Sequence, residues 1–196
     1  MRNVVLICGI AISLLMGGIS VDAKTTKKSS KAKKTKTTST QTSSITASDF
    51  LQPFSLSGLN PDEWGVSRRL ASKIMVPKKD FEIDDALIRK GFYKVYRSIT
   101  TEWSEAAGEM VDCNNAYFTK DVADGRISIK EYCGFWEIKF PSAAEKNKFL
   151  KTAENIGYKF SRYWDSYLVP GTEEDYWIAH YIFVDGNTVN IRTGGE

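Results

Sequence analysis

The chain of 196 residues carries Lys+Arg 27 against Asp+Glu 24, a net charge of only +3, with 42% hydrophobic and 12% aromatic residues. These proportions exclude a wholly disordered or collagen-like protein. The small net charge hides a partition: residues 24–48 hold seven Lys and no acid, whereas residues 49–196 hold 19 bases and 23 acids, a +7 arm ahead of a −4 body. The 148 residues of that body suffice for one ordinary hydrophobic core.

Met1-Arg2-Asn3 supplies a positive start, Val4 to Met16 an apolar run, and Val21-Asp22-Ala23 the residues that signal peptidase reads. The run of about 13 residues falls short of the roughly 20 needed to span a bilayer. The expectation is a signal peptide over 1–23, removed after Ala23, and a periplasmic or secreted protein with no later transmembrane segment. Residues 24–48 are almost entirely Thr, Ser and Lys. Such a segment cannot offset the entropy of ordering, so a disordered linker is expected. Its Lys24, Lys27, Lys28, Lys31, Lys33, Lys34 and Lys36 form a basic arm suited to weak, salt-sensitive contact with polyanions, and without interleaved aromatics they offer no specific nucleic-acid recognition.

The body, 49–196, reads as one α+β domain made of two internal repeats, about 70–133 and 134–196. Lys73-Ile74-Met75-Val76-Pro77 matches Glu137-Ile138-Lys139-Phe140-Pro141, the stretch from Leu87 to Lys94 matches Ala153 to Phe160, and Val122 to Lys130 matches Phe183 to Arg192, in the same order. Each unit begins with a short strand ending at Pro. A helix follows: in the first unit Asp80 caps it, Ile83 and Leu87 form its stripe and Gly91 stops it. In the second, Ser142 and Glu145 form a capping box, with Phe149, Ala153 and Ile156 on the stripe and Gly157 at the stop. Aromatic strands come next, from Phe92 to Ile99 and from Tyr158 to Tyr163, and a hairpin at Asp124-Gly125 or Asp185-Gly186 closes each unit. The expected unit is β-α-β-β-β, occurring twice in antiparallel sheet with the helices on one face. Thr101 to Val111 reads as an additional helix with Trp103, Ala107 and Met110 on one side. In topology alone, tandem units of this sort resemble the two-lobed architecture of β-lactamase-inhibitor-like proteins; no residue motif accompanies the likeness.

Once Cys8 leaves with the signal, Cys113 and Cys133 are an even pair bound for an oxidising compartment, and both lie near the open end of one hairpin. They are expected to form a disulfide joining the loop after the Trp103 helix to the last strand of the first unit. Neither has a neighbouring His or a zinc spacing.

No catalytic constellation emerges. The single His180 sits in Tyr176 to Val184, which reads as a buried strand, and no Gly-x-Ser-x-Gly elbow or phosphate-binding glycine loop occurs. The acid pairs Asp62-Glu63, Asp84-Asp85 and Glu173-Glu174-Asp175 fit helix starts and solvated loops. No metal and no cofactor are expected. The 24 aromatics all fall in the body. Tyr163, Trp164 and Tyr167, where strand becomes loop, are the candidate binding surface. The sequence therefore points to an exported non-enzymatic module for a protein or glycan partner. The alternatives are an envelope-associated module held by its basic tail and a small carboxylate-dependent hydrolase.

Overall fold

A computed structural model describes residues 44–54, 73–105, 108–175 and 177–193. The expected signal peptide, the seven lysines of the arm and the Asp62-Glu63 pair lie outside these residues. In chain order the elements are the helical turn α1 (Ala47–Phe50), β1 (Leu51–Pro53), β2 (Met75–Pro77), α2 (Asp80–Arg89), β3 (Tyr93–Ser104), β4 (Glu109–Val122), β5 (Gly125–Tyr132) and β6 (Phe135–Lys139). There follow α3 (Ala143–Asn155), β7 (Lys159–Ser161), β8 (Ser166–Leu168), a 3-10 turn (Glu173–Asp175), β9 (His180–Asp185) and β10 (Thr188–Thr193). The fold is α+β. β1 and β2 form a two-stranded ribbon, and the other strands make one antiparallel sheet in the order β3-β4-β5-β6-β10-β9-β8-β7.

The helices form where their stripes and caps direct. Ser142 Oγ accepts from the Glu145 N–H, and Phe149, Leu150 and Ala153 are buried. In α2 the cap position falls at Lys79, one residue before the expected Asp80, because the Lys79 N–H donates to Glu82 Oε2 at 3.2 Å. Both helices join one core. Ile83 and Leu87 of α2 and Phe149 of α3 meet the alternate residues Phe118, Ile129, Trp136, Ile138, Val189 and Ile191 of the sheet. Phe50 sits edge-on to Trp136 and Phe149, with centroids 5.4 and 6.2 Å away. The domain also begins earlier than expected. Ile45 and Ala47 are fully buried, Thr46 donates twice to Asp49 Oδ2, and the Ala47 N–H reaches Thr152 Oγ1. Residues 44–48 thus belong to the folded domain, with Ile45 and Ala47 in its core, despite sharing the linker's composition.

A β-bulge sets the electrostatics of the helix face. The register of β3 on β4 shifts between Lys94 and Tyr96, so that Lys94 and Arg97, three apart, point to the same side. Both meet Asp84 of α2: Lys94 Nζ is 3.2 Å and Arg97 Nε 3.0 Å from Oδ2, while Arg97 Nη1 pairs with Glu131 at 2.8 Å and Asp80 at 3.2 Å. Three carboxylates therefore share two cations. Burial, reinforced by Asp80 and Asp84, pushes the Glu131 carboxyl up to about 7 against the pull of Arg97.

Several local expectations shift. The described residues of the expected Thr101-to-Val111 helix are strand: they hold the ends of β3 and β4, with Trp103 directly opposite Met110, while Ala107 lies outside the described residues. A separation of seven fits a helix face and a cross-strand pair equally well, and Thr101, Trp103 and Val111 favour the strand. The two-residue hairpin loops fall at Ala123-Asp124 and Gly186-Asn187, one residue away from Asp124-Gly125 and Asp185-Gly186. The strand expected from Tyr176 begins only at His180, and the expected strand from Tyr158 to Tyr163 shortens to β7.

β5 stops pairing at Asn115↔Tyr132, so the ends of β3 and β4 project beyond it as a two-stranded arm. The Cys113–Cys133 disulfide ties that arm back. Cys133 lies in the β5–β6 turn and not on a strand; it and Gly134 have φ of 47° and 84°, the left-handed pair that a type I′ hairpin requires. The bridge closes a loop of about 21 residues, worth about 3 kcal/mol on the chain-entropy model. We expect the Cys113→Ser/Cys133→Ser double variant to lose about that much in urea unfolding, and amide exchange to accelerate across residues 99–114 while Ile129, Ile138 and Ile191 stay protected.

Candidate functional site

Among the described residues, the face of the sheet turned away from α2 and α3 is covered at one end. There Ile74, Leu168, Ala179 and Tyr181 form a second cluster, backed by Trp164 and Phe183. The Tyr181 hydroxyl donates to the Thr172 carbonyl at 3.1 Å, pinning the loop before β9, and the Arg192 guanidinium lies 4.6 Å above the Phe183 ring.

Beside the arm, at the ends of the strands, lies a groove of about 550 Å³. Glu102, Trp103 and Ser104 of β3 form one wall, the disulfide and Gly134 the floor, and Tyr132, Phe135, Trp177 and His180 the remaining sides. Tyr132 is 51% and Trp177 43% exposed, whereas the Trp103 ring, six residues on from Arg97 along the regular strand, shares Arg97's helix-side face and only its backbone edge belongs to this wall. The Tyr132 hydroxyl donates a short hydrogen bond to Glu102 Oε2, and that bond pushes the phenol pKa up. A further hollow of about 300 Å³, lined by Lys130, Glu137, Asn190 and Arg192, shares Tyr132 and Phe135 with the groove.

His180 supplies a neutral polar group. Burial drives its pKa down to about 4, and Nδ1 sits 3.2 Å from the Ile178 carbonyl, so Nδ1–H is the donor and Nε2 the acceptor. The Glu102, Cys113 and Cys133 side chains approach one another with metal-ligating atoms, yet both sulfurs are committed to the disulfide. A third hollow of about 470 Å³, on the helix side, presents cations already engaged: Lys120 with the Lys90 carbonyl at 2.6 Å and Lys148 with Glu145 at 2.6 Å.

The residues singled out from sequence are distributed unevenly. Tyr163, on the β7–β8 turn, is 87% exposed and sits edge-on to Trp164 at 5.2 Å. Trp164 packs toward Tyr181, and Tyr167 stacks edge-on against Phe160 and leans on the main core, so the three do not form one platform. Among the acids, Asp84 is locked in the Arg97 network, Asp85 is exposed, and Asp175 is buried in its 3-10 turn. Sequence reasoning missed the groove because it placed Thr101 to Val111 on a helix, whereas Glu102 and Val111 are strand residues that line it; the Cys113–Cys133 pairing was the available signal, since the groove surrounds that bridge.

No family model, no curated protein and no solved structure matches this chain.

His180 makes a pH test. Its folded pKa lies below the ordinary 6.5, so the unfolded chain takes the proton first, and the stability this ring contributes is lost as pH falls from about 6.5 to about 4. Proton NMR should show the imidazole uncharged from pH 8 down to about 5.5, titrating only toward pH 4. His180→Asn should remove this component of the acid sensitivity.

Proposed function

We propose that this protein is an exported, non-enzymatic binding module whose groove takes a glycan. The observation that carries the reading is the set of three rings, Tyr132, Phe135 and Trp177, beside Glu102 in a groove that His180 also lines. Flat apolar faces beside a few orienting polar groups are the make-up of a small-ligand site. The magnitudes favour a glycan over a protein in this groove. About 550 Å³ fits a ligand of one or two sugar rings, whereas a stable protein partner needs roughly 800 Å² of surface from each side. Export rests on the amino-terminal pattern of Met1 to Ala23, and the disulfide accords with an oxidising compartment. In this reading the basic Lys24-to-Lys36 segment adds weak, salt-sensitive contact with polyanions of the envelope or exterior. No helix among the described residues is long and apolar enough to cross a membrane.

We also infer that the body arose by internal duplication. The end of α2 matches the end of α3 and the β4–β5 hairpin matches β9–β10, whereas β2 pairs with β1 in the ribbon and β6 lies inside the eight-stranded sheet. The second unit has one strand more than the expected β-α-β-β-β.

The test is titration of the purified protein with neutral and amino-sugar oligosaccharides, followed by tryptophan fluorescence. A saturable change is expected, weakened about tenfold by Tyr132→Ala or Trp177→Ala, the scale of one aromatic contact. Tyr163→Ala, away from the groove, should bind as the parent does. Absence of any saturable change across the panel would overturn the glycan reading.

A further inference from the structure

The two edges of the eight-stranded sheet differ. β7 offers three residues, whereas β3 offers twelve. Protein sheets ordinarily protect a long edge with Pro, Lys, a bulge or a covering segment. In β3 the bulge and Lys94 guard only the first residues. From Tyr96 to Ser104 the strand is regular, lacks Pro and Lys, and is rich in β-branched and aromatic residues, with Ile99 66% and Trp103 63% exposed.

We propose that this edge pairs with the same edge of a second copy, antiparallel about a two-fold axis through Thr100. The length of the regular stretch selects that arrangement and the charges permit it. In a two-fold pair each residue faces a partner on the same side of the sheet, and centring on Thr100 uses all nine residues of the regular stretch. Ile99 then faces Thr101, Arg97 faces Trp103, Ser98 faces Glu102 and Tyr96 faces Ser104, and no like charges meet. Centring on Arg97 or on Glu102 instead sets each of these charges against its own copy. The pairing covers the exposed edge and joins two eight-stranded sheets into one. It also completes the groove, because its wall of Glu102, Trp103 and Ser104 is the edge strand itself, and the second copy's β3 continues that wall.

The test reads self-association of the purified protein by sedimentation velocity, with substitutions at the exposed Ser98, which faces Glu102 of the second copy. The parent is expected to be a dimer at tens of micromolar. Ser98→Glu sets like charges across both symmetry-related contacts and should raise the dimer Kd about tenfold or more; Ser98→Lys should leave it unchanged or tighten it. Ile88→Lys, on α2 and away from the edge, should not alter the dimer. Far-UV circular dichroism confirms that each variant is folded, and Ser98 is an exposed position that tolerates either side chain. A parent that stays monomeric at about 100 μM, or Ser98→Glu and Ser98→Lys variants that behave alike, would overturn the proposal. A monomer that binds oligosaccharide would do so while leaving the glycan reading intact.

Discussion

Strand β6 holds the two halves of the molecule in one sheet. It has only five residues, yet it is hydrogen-bonded on one edge to β5 and on the other to β10, and no other strand links the two ends of the chain in the sheet order. Its two faces serve different ends. Trp136 and Ile138 point into the helix-side core and are fully buried, where each contributes on the order of 2–3 kcal/mol of hydrophobic stabilisation. Phe135 and Glu137 point to the open face, where Phe135 belongs to both the groove and the hollow beside it. Packing beneath β6 thus fixes the position of the rings above it.

Features governed by neighbouring residues were legible in the sequence, and those governed by distant ones were not. The Ser142 cap of α3, the Ile83 and Leu87 stripe and the glycines that stop both helices are local and appear as expected, although the Glu145 carboxylate pairs with Lys148 instead of closing the capping box. The disulfide was legible because hairpin register is nearly arithmetic, although Cys133 proved to occupy the turn. Trp103 and Met110 misled because a helical repeat and an antiparallel pair give the same spacing at that separation. The insertion of β6 between β5 and β10 depends on contacts some 50 residues apart, and no short pattern announces it. The candidate groove depends on that insertion, since it brings Trp177 and His180 beside the disulfide.

Two buried titratable groups pull stability in opposite directions. Glu131 has a folded pKa raised from about 4.5 to about 7, so the folded state holds its proton more tightly, and the stability from that proton is lost as pH rises through this window. His180 is depressed toward 4, so its contribution is lost as pH falls from about 6.5. The windows overlap between about 4.5 and 6.5, where the two slopes offset one another. A flat stability profile there is compatible with two strongly perturbed groups.

The bluntness of β7 limits what the sheet can build. With three residues, followed at once by the tight β7–β8 turn, that edge cannot template a strand as long as β3. A sheet with two long open edges can add copies indefinitely, as fibrils do. A sheet with one long edge and one short edge can associate through the long edge only once, and the assembly then presents two blunt ends. The weak pairing surface of β7 therefore acts as a terminator, keeping an eight-stranded sheet with an exposed, β-rich margin out of open-ended polymerisation.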